Sequence, residues 1–530
     1  MVTGRYLCYY IDQRRFIQER GKVMNVCLLN DSFPPVLDGV ANVVMNYGRI
    51  MKEDLGANVV VGTPKYPNAD YSGYPYEVIA YPSMNTAKLA NGYRTGNPLA
   101  MREVDQMTKF DPDIIHSHCP AASTYMARVL QREVKSRYTP IVFTYHTKFD
   151  EDIAKALGNG FLEKETIKVM VNNISACDEV WFVSRGACKN LNDLAKKVDL
   201  PVEFECKVMP NGVDFPKGKV DADKVREVTG KYDLPEGVPV FLFVGRLMKY
   251  KGLPLIIDAL RGLSAYGIDY RMIFIGGGVD AEEMQTRVRD YGIALDIVGE
   301  DKVITHIEGR DDFVGKVIFT GPEHDRENLR AWNTRADLFL FPSVYDTNGI
   351  VVREAAACGL GSVLIADSCA AEGITHDRNG FVIDESPSAM ALLLADLAKH
   401  PEHMKDVGDH AMEEIYISWD ESTRMAYRRY EEIIGMVQDG TMERRKKQGA
   451  DYLLGAASNL AKVFNIPYDL YEGVKDNYHE LKDDMVGSLK EIKDSMEEML
   501  GKKENEDIID DFPVDDTDEK QEDHNDTDED

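Results

Sequence analysis

Residues 337–354 read D-L-F-L-F-P-S-V-Y-D-T-N-G-I-V-V-R-E. Leu338 to Phe341 form a wholly apolar run closed by Pro342-Ser343, the pattern of a buried parallel strand ending in a turn. After a short loop, Gly349 opens a second apolar run, Ile350 and Val351 onward, that carries Glu354 and the small residues Ala355 to Ala357. That predicts a helix packed close on a sheet, with the backbone N–H groups of its first turn aimed at the loop. Asp346 and Glu354 lie either side of the helix start, so both can face the crevice at the carboxyl end of the strand. Two carboxylates beside an anion cradle suit a sugar nucleotide: they accept hydrogen bonds from hydroxyls, while the N–H groups around Asn348, Gly349, Ile350 and Val351 hold a diphosphate. The plainer alternative is a strand-turn-helix with two solvated acids.

Working outward, V-P-V-F-L-F-V-G-R-L-M-K-Y-K-G from Val238 is an apolar strand that stops at Gly245, with Arg246 and Lys251 just beyond. Two cations there are costly unless paired, and a diphosphate would pair them; a surface salt-bridge pair is the alternative. Strand patterns continue at R-M-I-F-I-G-G-G (271–278), 316–321 and 362–366, with a helix over 326–332, a turn at Asn379-Gly380, a last strand F-V-I-D, and helices over 386–399 and 408–438. The glycines Gly276 to Gly278 miss the G-x-G-x-x-G spacing and follow a strand deep in the second half, so a nicotinamide cofactor is not expected.

Toward the start, V-M-N-V-C-L-L (23–29) is a strand followed by a Pro- and Gly-marked loop entering a helix near Ala41. Gly39 lacks a side chain where a diphosphate would approach the backbone, although an ordinary turn glycine reads the same. Strands at 57–61, 114–118, 141–145 and from Cys177 alternate with helical patterns, as in a doubly wound α/β domain, and Ser184 suits a helix cap. His118 and His146 end two of these strands, where such folds place their sites. His116 and His118 share a strand face, but no third ligand of suitable spacing accompanies them, and D-P-D at 111–113 reads as a turn. No metal is expected.

In combination these motifs resemble family 4 of the retaining, GT-B-fold glycosyltransferases, over roughly residues 23–438. The family's signature is Glu, seven residues, Glu; here the first acid is Asp346, one methylene shorter. The G-R-L…K-G run at 245–252 and the Gly-Val after an F-x-P turn also match. D-G-V-A (38–41), T-Y-H-T (144–147) and D-T-N-G (346–349) are similar to the diacylglycerol glucosyltransferase and phosphatidylinositol mannosyltransferase branch. The resemblance implies a nucleotide-sugar donor, a UDP-sugar above all, and an acceptor hydroxyl on a membrane lipid such as diacylglycerol; a soluble sugar, a cell-wall glycan or a non-catalytic partner subunit are the alternatives. It implies that Arg246 and Lys251 hold the diphosphate, Asp346 positions the sugar, Glu354 holds the ribose, His118 lies near the reacting sugar and His146 borders the acceptor cleft. With two cations on the diphosphate, activity without a metal or other cofactor is expected.

The expected organisation is an α/β GT-B fold. An extension (1–22) precedes a Rossmann-like acceptor domain (23–207), and a turn and linker (208–237) lead to a Rossmann-like nucleotide-sugar domain (238–410). A crossover helix (411–440), a helical extension (441–502) and an acidic tail (503–530), disordered by its composition, follow. With 530 residues, 44% hydrophobic, the chain can bury large cores. Eight cysteines without a C-x-x-C pair suit free thiols in a reduced compartment. Nearly half of the net charge of −29 falls in 503–530, where fifteen acids face Lys503 and Lys520, so nucleic acid is not an expected partner. No apolar run is long enough to span a membrane, and the first twenty residues lack an export-signal core. A cytoplasmic protein, peripheral on the inner face of the cell membrane, is the expectation. Arg444, Arg445, Lys446 and Lys447 precede an apolar helical face (Leu453, Ala456, Ala457, Leu460, Val463, Phe464), which suits an anionic membrane surface through 441–464 or docking on the protein. Tyr471 to Met499 carry heptad-like spacing suited to self-association.

Overall fold

The computed structural model describes residues 23–36, 38–85, 94–150, 153–154, 160–445 and 447–464. The 1–22 extension, the 471–499 heptad-like face and the acidic tail lie outside the described residues.

The first half runs β1 (Asn25–Leu29), α1 (Gly39–Glu53), β2 (Asn58–Pro64), β3 (Glu77–Tyr81), an antiparallel pair β4 (Ser83–Asn85) and β5 (Arg94–Gly96), and α2 (Met101–Lys109). It continues with β6 (Ile114–Ser117), α3 (Ala122–Glu133), β7 (Ile141–Tyr145), α4 (Phe161–Ser175), β8 (Glu179–Phe182), α5 (Arg185–Lys197) and β9 (Lys207–Val208). Seven of these strands form a parallel sheet in the order β3-β2-β1-β6-β7-β8-β9. Helices cover both faces, so the central strands are apolar throughout: Ile114–Ser117 and Ile141–Tyr145 are wholly buried. The strand order reverses at β1, between β2 and β6, and this opens a crevice at the carboxyl ends of β1 and β6.

The second half runs α6 (Ala222–Thr229), β10 (Val240–Val244), α7 (Leu253–Ala265), β11 (Arg271–Ile275), α8 (Ala281–Asp290), β12 (Ala294–Val298) and β13 (Ile304–Ile307). Then come β14 (Lys316–Gly321), α9 (Arg326–Arg335), β15 (Leu338–Phe341), α10 (Ile350–Ala357), β16 (Ser362–Ile365), β17 (Phe381–Ile383), α11 (Pro387–Leu397) and α12 (Pro401–Glu414). Its sheet is ordered β13-β12-β14-β11-β10-β15-β16-β17, parallel except for β13. Here the order reverses at β10, between β11 and β15. The loops after β10 and β15, which carry the motifs read from sequence, therefore share one crevice.

Two expectations need correction. The stretch 208–237, read as turn and linker, contains helix α6, and the chain around it is tied to α9: Arg330 donates to the Gly218 carbonyl at 2.9 Å and Val220 N–H to Thr334 Oγ1 at 3.3 Å. Its polar look comes from an amphipathic element that turns only Val228 and its neighbours to the core. The helical pattern over 408–438 is two helices, α12 and α13 (Trp419–Gln438), parted at 415–418, where Val213 N–H reaches the Ile417 carbonyl at 3.0 Å. Gly212 is needed at that crossing, since a Cβ would lie 2.4 Å from Trp419 N. A capping box of Ser418 and Glu421 then starts α13. This crossover helix completes the first domain: Trp419, Ala426, Tyr430 and Ile433 join Val26, Val43 and Trp181 in one buried cluster. The basic cluster is in part bound to the protein itself. Arg444 lies over the Tyr138 ring at 4.7 Å and Arg445 Nε donates to Gln131 Oε1 at 3.1 Å, so two of its cations are engaged with the first domain.

The stretch 448–464 is a separate unit. In it α14 (Gly449–Phe464) begins with Asp451 accepting the Gln448 N–H at 2.7 Å.

Candidate functional site

The loop after β10 is seated by glycines. Gly245 (φ +151°) is crossed by Gly276, whose Cβ would fall 1.9 Å from the Gly245 carbonyl oxygen, and a Cβ on Gly278 would sit 2.3 Å from that of Leu247. The triple glycine is thus a backbone crossing that fixes the loop carrying Arg246. Gly252 (φ +83°) abuts Pro342, 2.6 Å from a Cβ position, and this close approach brings Lys251 to the loop after β15. Lys251 Nζ forms an ion pair with Asp346 Oδ1, while Asp346 Oδ2 accepts from Ser343 Oγ at 2.6 Å. Arg246 is exposed and donates to the Tyr250 hydroxyl at 3.0 Å.

Gly349 takes the left-handed conformation (φ +56°) at the start of α10, and no side chain caps that end. Ile350 and Val351 form its first turn, so its N–H groups and dipole face the crevice. Arg353, on the same helix, donates to Asn348 Oδ1 at 2.6 Å and to its carbonyl at 2.9 Å, which orients the amide. Asn348 Nδ2 is buried with no hydrogen-bond partner among the described residues, a donor held ready for an oxygen. Burial brings the Arg353 guanidinium down to about 10. Glu354 is also shielded. Desolvation raises its carboxyl, and Arg326, which donates to Oε1 at 2.6 Å, partly offsets this.

The opposite wall belongs to the first domain. A Cβ on Gly39 would meet nothing within 4 Å, and Asp38 caps the helix behind it by accepting from Ala41 N–H at 2.7 Å. His118 and His146 lie side by side at the carboxyl ends of β6 and β7, His118 Nδ1 being 3.0 Å from His146 Nε2. Burial holds both well below the usual imidazole range, His146 at about 3, so both are neutral. His116 has a different task. It bonds Thr144 Oγ1 at 2.7 Å and the Tyr430 hydroxyl, which ties β6 to the crossover helix.

The walls meet at the loop after β15. Thr347 Oγ1 donates to the His146 carbonyl at 2.6 Å, and the Thr347 carbonyl accepts from Ser184 Oγ at 2.6 Å. Ser184 also caps α5, as its sequence position suggests. Asp346, Asn348 and the start of α10 therefore sit within a few residues of the histidine pair. Sequence reading missed Arg326, Arg353 and Thr347, whose tasks arise from distant partners. It also missed Asp31, which follows β1 and accepts from Ser123 N–H at 2.9 Å and Ser123 Oγ at 2.5 Å. Burial pushes its carboxyl up to about 6, and an acid directly after a strand was the available signal. Among the described residues no group of three His, Cys, Asp or Glu side chains could hold a metal ion.

Two family profiles match: "Glycosyltransferase Family 4" over residues 37–215 and "Glycosyl transferases group 1" over residues 225–414. The chain is 22% identical over 388 residues to the alpha-monoglucosyldiacylglycerol synthase of Acholeplasma laidlawii, covering 72% of this chain and 88% of that protein. To a D-inositol 3-phosphate glycosyltransferase of Xylanimonas cellulosilytica it is 29% identical over 196 residues, 36% of this chain and 42% of that one. It thus spans less than half the length of this second relative. Among solved structures, Anabaena Alr3699/HepE in complex with UDP superposes with a TM-score of 0.56 at 16% identity, over 77% of this chain and all of that one, and shows the shared fold.

Proposed function

Because this chain belongs to the family 4 GT-B glycosyltransferases, we propose that it moves a hexose from a UDP-sugar to a hydroxyl of a membrane lipid such as diacylglycerol, with retention of configuration. The observation that carries the reading is the meeting, at Thr347, of a cationic and N–H-lined wall with a neutral histidine wall. Arg246, Lys251, the first turn of α10 and Asn348 Nδ2 are donors placed where a leaving diphosphate gathers charge. Asp346 would position the sugar and Glu354 would hold the ribose. As the bond from the sugar to the diphosphate breaks, the acceptor oxygen bonds to the same face of the sugar, and its proton passes to the departing phosphate oxygen. Cations at Arg246 and Lys251 make a metal dispensable.

The UDP and lipid parts draw on relatives. The Anabaena protein of the same fold was crystallised with UDP, and the Acholeplasma relative is named for a glucosyl-lipid product. No helix among the described residues is long and apolar enough to cross a membrane. Contact with an anionic membrane surface would therefore be peripheral, through α14 within 441–464.

Thermal stabilisation by UDP-, GDP- and ADP-sugars, followed by transfer of labelled hexose to diacylglycerol in vesicles, tests the reading. UDP-sugars should raise Tm and label the lipid. Stabilisation by GDP alone would overturn the donor, and label entering only soluble glycans would overturn the acceptor. Hydrolysis of a UDP-sugar by the purified protein would dispose of a non-catalytic role.

A further inference from the structure

The family resemblance implies a place for His118 near the reacting sugar and puts its neighbour His146 only at the border of the acceptor cleft. We propose that His146 is a positioning residue for His118: it fixes the tautomer that His118 turns toward the sugar, and Thr347 of the donor-side domain holds it in place. This rests on the proposed function for the role of His118.

His118 and His146 are 2% and 8% exposed, their rings lie within 22° of parallel, and one hydrogen bond of 3.0 Å joins His118 Nδ1 to His146 Nε2. A neutral imidazole carries one ring proton, and a shared bond holds one proton between the two rings. If His118 Nδ1 donates, His146 must keep its own proton on Nδ1. If His146 Nε2 donates, His118 must keep its proton on Nε2. Either way both rings take the same tautomer. The outer nitrogens, His118 Nε2 and His146 Nδ1, have no hydrogen-bond partner among the described residues. A bare nitrogen on the deeper ring, His118, is less costly than an orphaned buried N–H there, so the Nδ1–H form is favoured on both. His118 then offers Nε2 as an acceptor to a hydroxyl of the sugar.

His116 does not compete for this task. Its ring lies 3.9 Å from that of His118, but both of its nitrogens are taken, by Thr144 and Tyr430. The backbone of His146 is gripped from the other domain, since its carbonyl accepts from Thr347 Oγ1 at 2.6 Å and Thr347 is in turn held by Ser184. Thr347 follows Asp346 in sequence. The loop that would position the sugar thereby also fixes the residue behind His118.

Two measurements on the full chain test this. With ¹⁵N-histidine labelling, the two coupled rings should both show the Nδ1–H tautomer, and His146→Ala should release His118 to a mixture; rings of unlike tautomer in the native protein would overturn the proposal. With UDP-glucose hydrolysis as the assay, His146→Ala should lower kcat by about 10- to 100-fold with KM held within about twofold. His146→Gln, which restores an acceptor near the Nε2 position, should recover to within about fivefold, and Thr347→Val should lower kcat in the same direction. In a His118→Ala background the His146→Ala change should cost less than about twofold. If His118→Ala cripples the enzyme yet His146→Ala costs the same in both backgrounds, the positioning role fails and the proposed function stands. If His118→Ala leaves kcat unchanged, the role given to His118 fails and this inference with it. Should His146→Ala not fold, the native tautomers and Thr347→Val decide.

Discussion

Replacing Lys251 by alanine should weaken UDP binding by more than the loss of one contact. In the ligand-free protein Lys251 is paired with Asp346, and both are shielded, at 13% and 23% side-chain exposure. Removing the cation deletes a charge-assisted hydrogen bond to the diphosphate worth about 1.5–3 kcal/mol. It also leaves the Asp346 carboxylate uncompensated. Like charges about 6 Å apart at an effective dielectric of about 20 repel by roughly 3 kcal/mol. Taking half of that for the partial exposure of Asp346, the total is about 3–4.5 kcal/mol, or about 100- to 1,000-fold in Kd. The double variant Lys251→Ala/Asp346→Asn should regain about tenfold, whereas Asp346→Asn alone, where Lys251 already offsets the repulsion, should stay within about twofold of the native protein. Titration calorimetry with UDP at about 0.1 M salt, where screening acts over about 10 Å, measures all four proteins. Full UDP affinity in Lys251→Ala would refute the diphosphate assignment. A double variant no tighter than the single one would show that Asp346 and the nucleotide do not share a field.

Glu354→Gln should cut turnover by about 100-fold, and unchanged KM and kcat would remove Glu354 from the donor site. Activity should survive EDTA; a loss that Mg²⁺ or Mn²⁺ restores would contradict the role given to Arg246 and Lys251. Burial works to raise the Glu179 carboxyl, but hydrogen bonds from Arg429, Lys207 and Trp181 outweigh it and hold the group below its usual range. Stability from a depressed carboxylate is in place above the unfolded value near about 4.3 and is lost as pH falls through the folded value. Arg429→Met should therefore cost about 2–3 kcal/mol at neutral pH and less in acid, as denaturant unfolding at both pH values will show; equal penalties would exclude the linkage. A 1–447 truncation should sediment less with anionic vesicles than the full chain, and equal binding by both would take the membrane role away from α14.

The apolar strands were legible because a sheet covered on both faces has no polar side to show: L-F-L-F at 338–341 and I-V-F-T-Y at 141–145 stand where the sequence puts them. The edge strand β3 was not. E-V-I-A-Y at 77–81 is half exposed and lies in a Tyr- and Pro-rich stretch that reads as loop. The break at 415–418 escaped because Ile415, Tyr416 and Ile417 continue the helical composition, and only the backbone of Val213 reveals the interruption. At the site, residues adjoining glycine turns were readable from the turns themselves. Arg326 was not, because its partner Glu354 is 28 residues away, and the pairing of Lys251 with Asp346 spans 95. The partners of Arg444 and Arg445 could not be named from sequence because Tyr138 and Gln131 lie in the other half of the chain.

The crossover helix also sets an order of events during synthesis. Trp419, Tyr430 and Ile433 are part of the packing that covers Val26, Val43 and Trp181, and the Tyr430 hydroxyl meets His116. A ribosome that has released the last strand of the first sheet, Lys207–Val208, must still add more than two hundred residues before Ile433 exists. At about 5–20 residues per second the nascent first domain waits on the order of ten to forty seconds with one face uncovered. Protease trimming or fusion partners placed within 214–237 would separate that face from its own cover. The emergence of the crossover helix, not the domain boundary, is where this half of the molecule can finish folding.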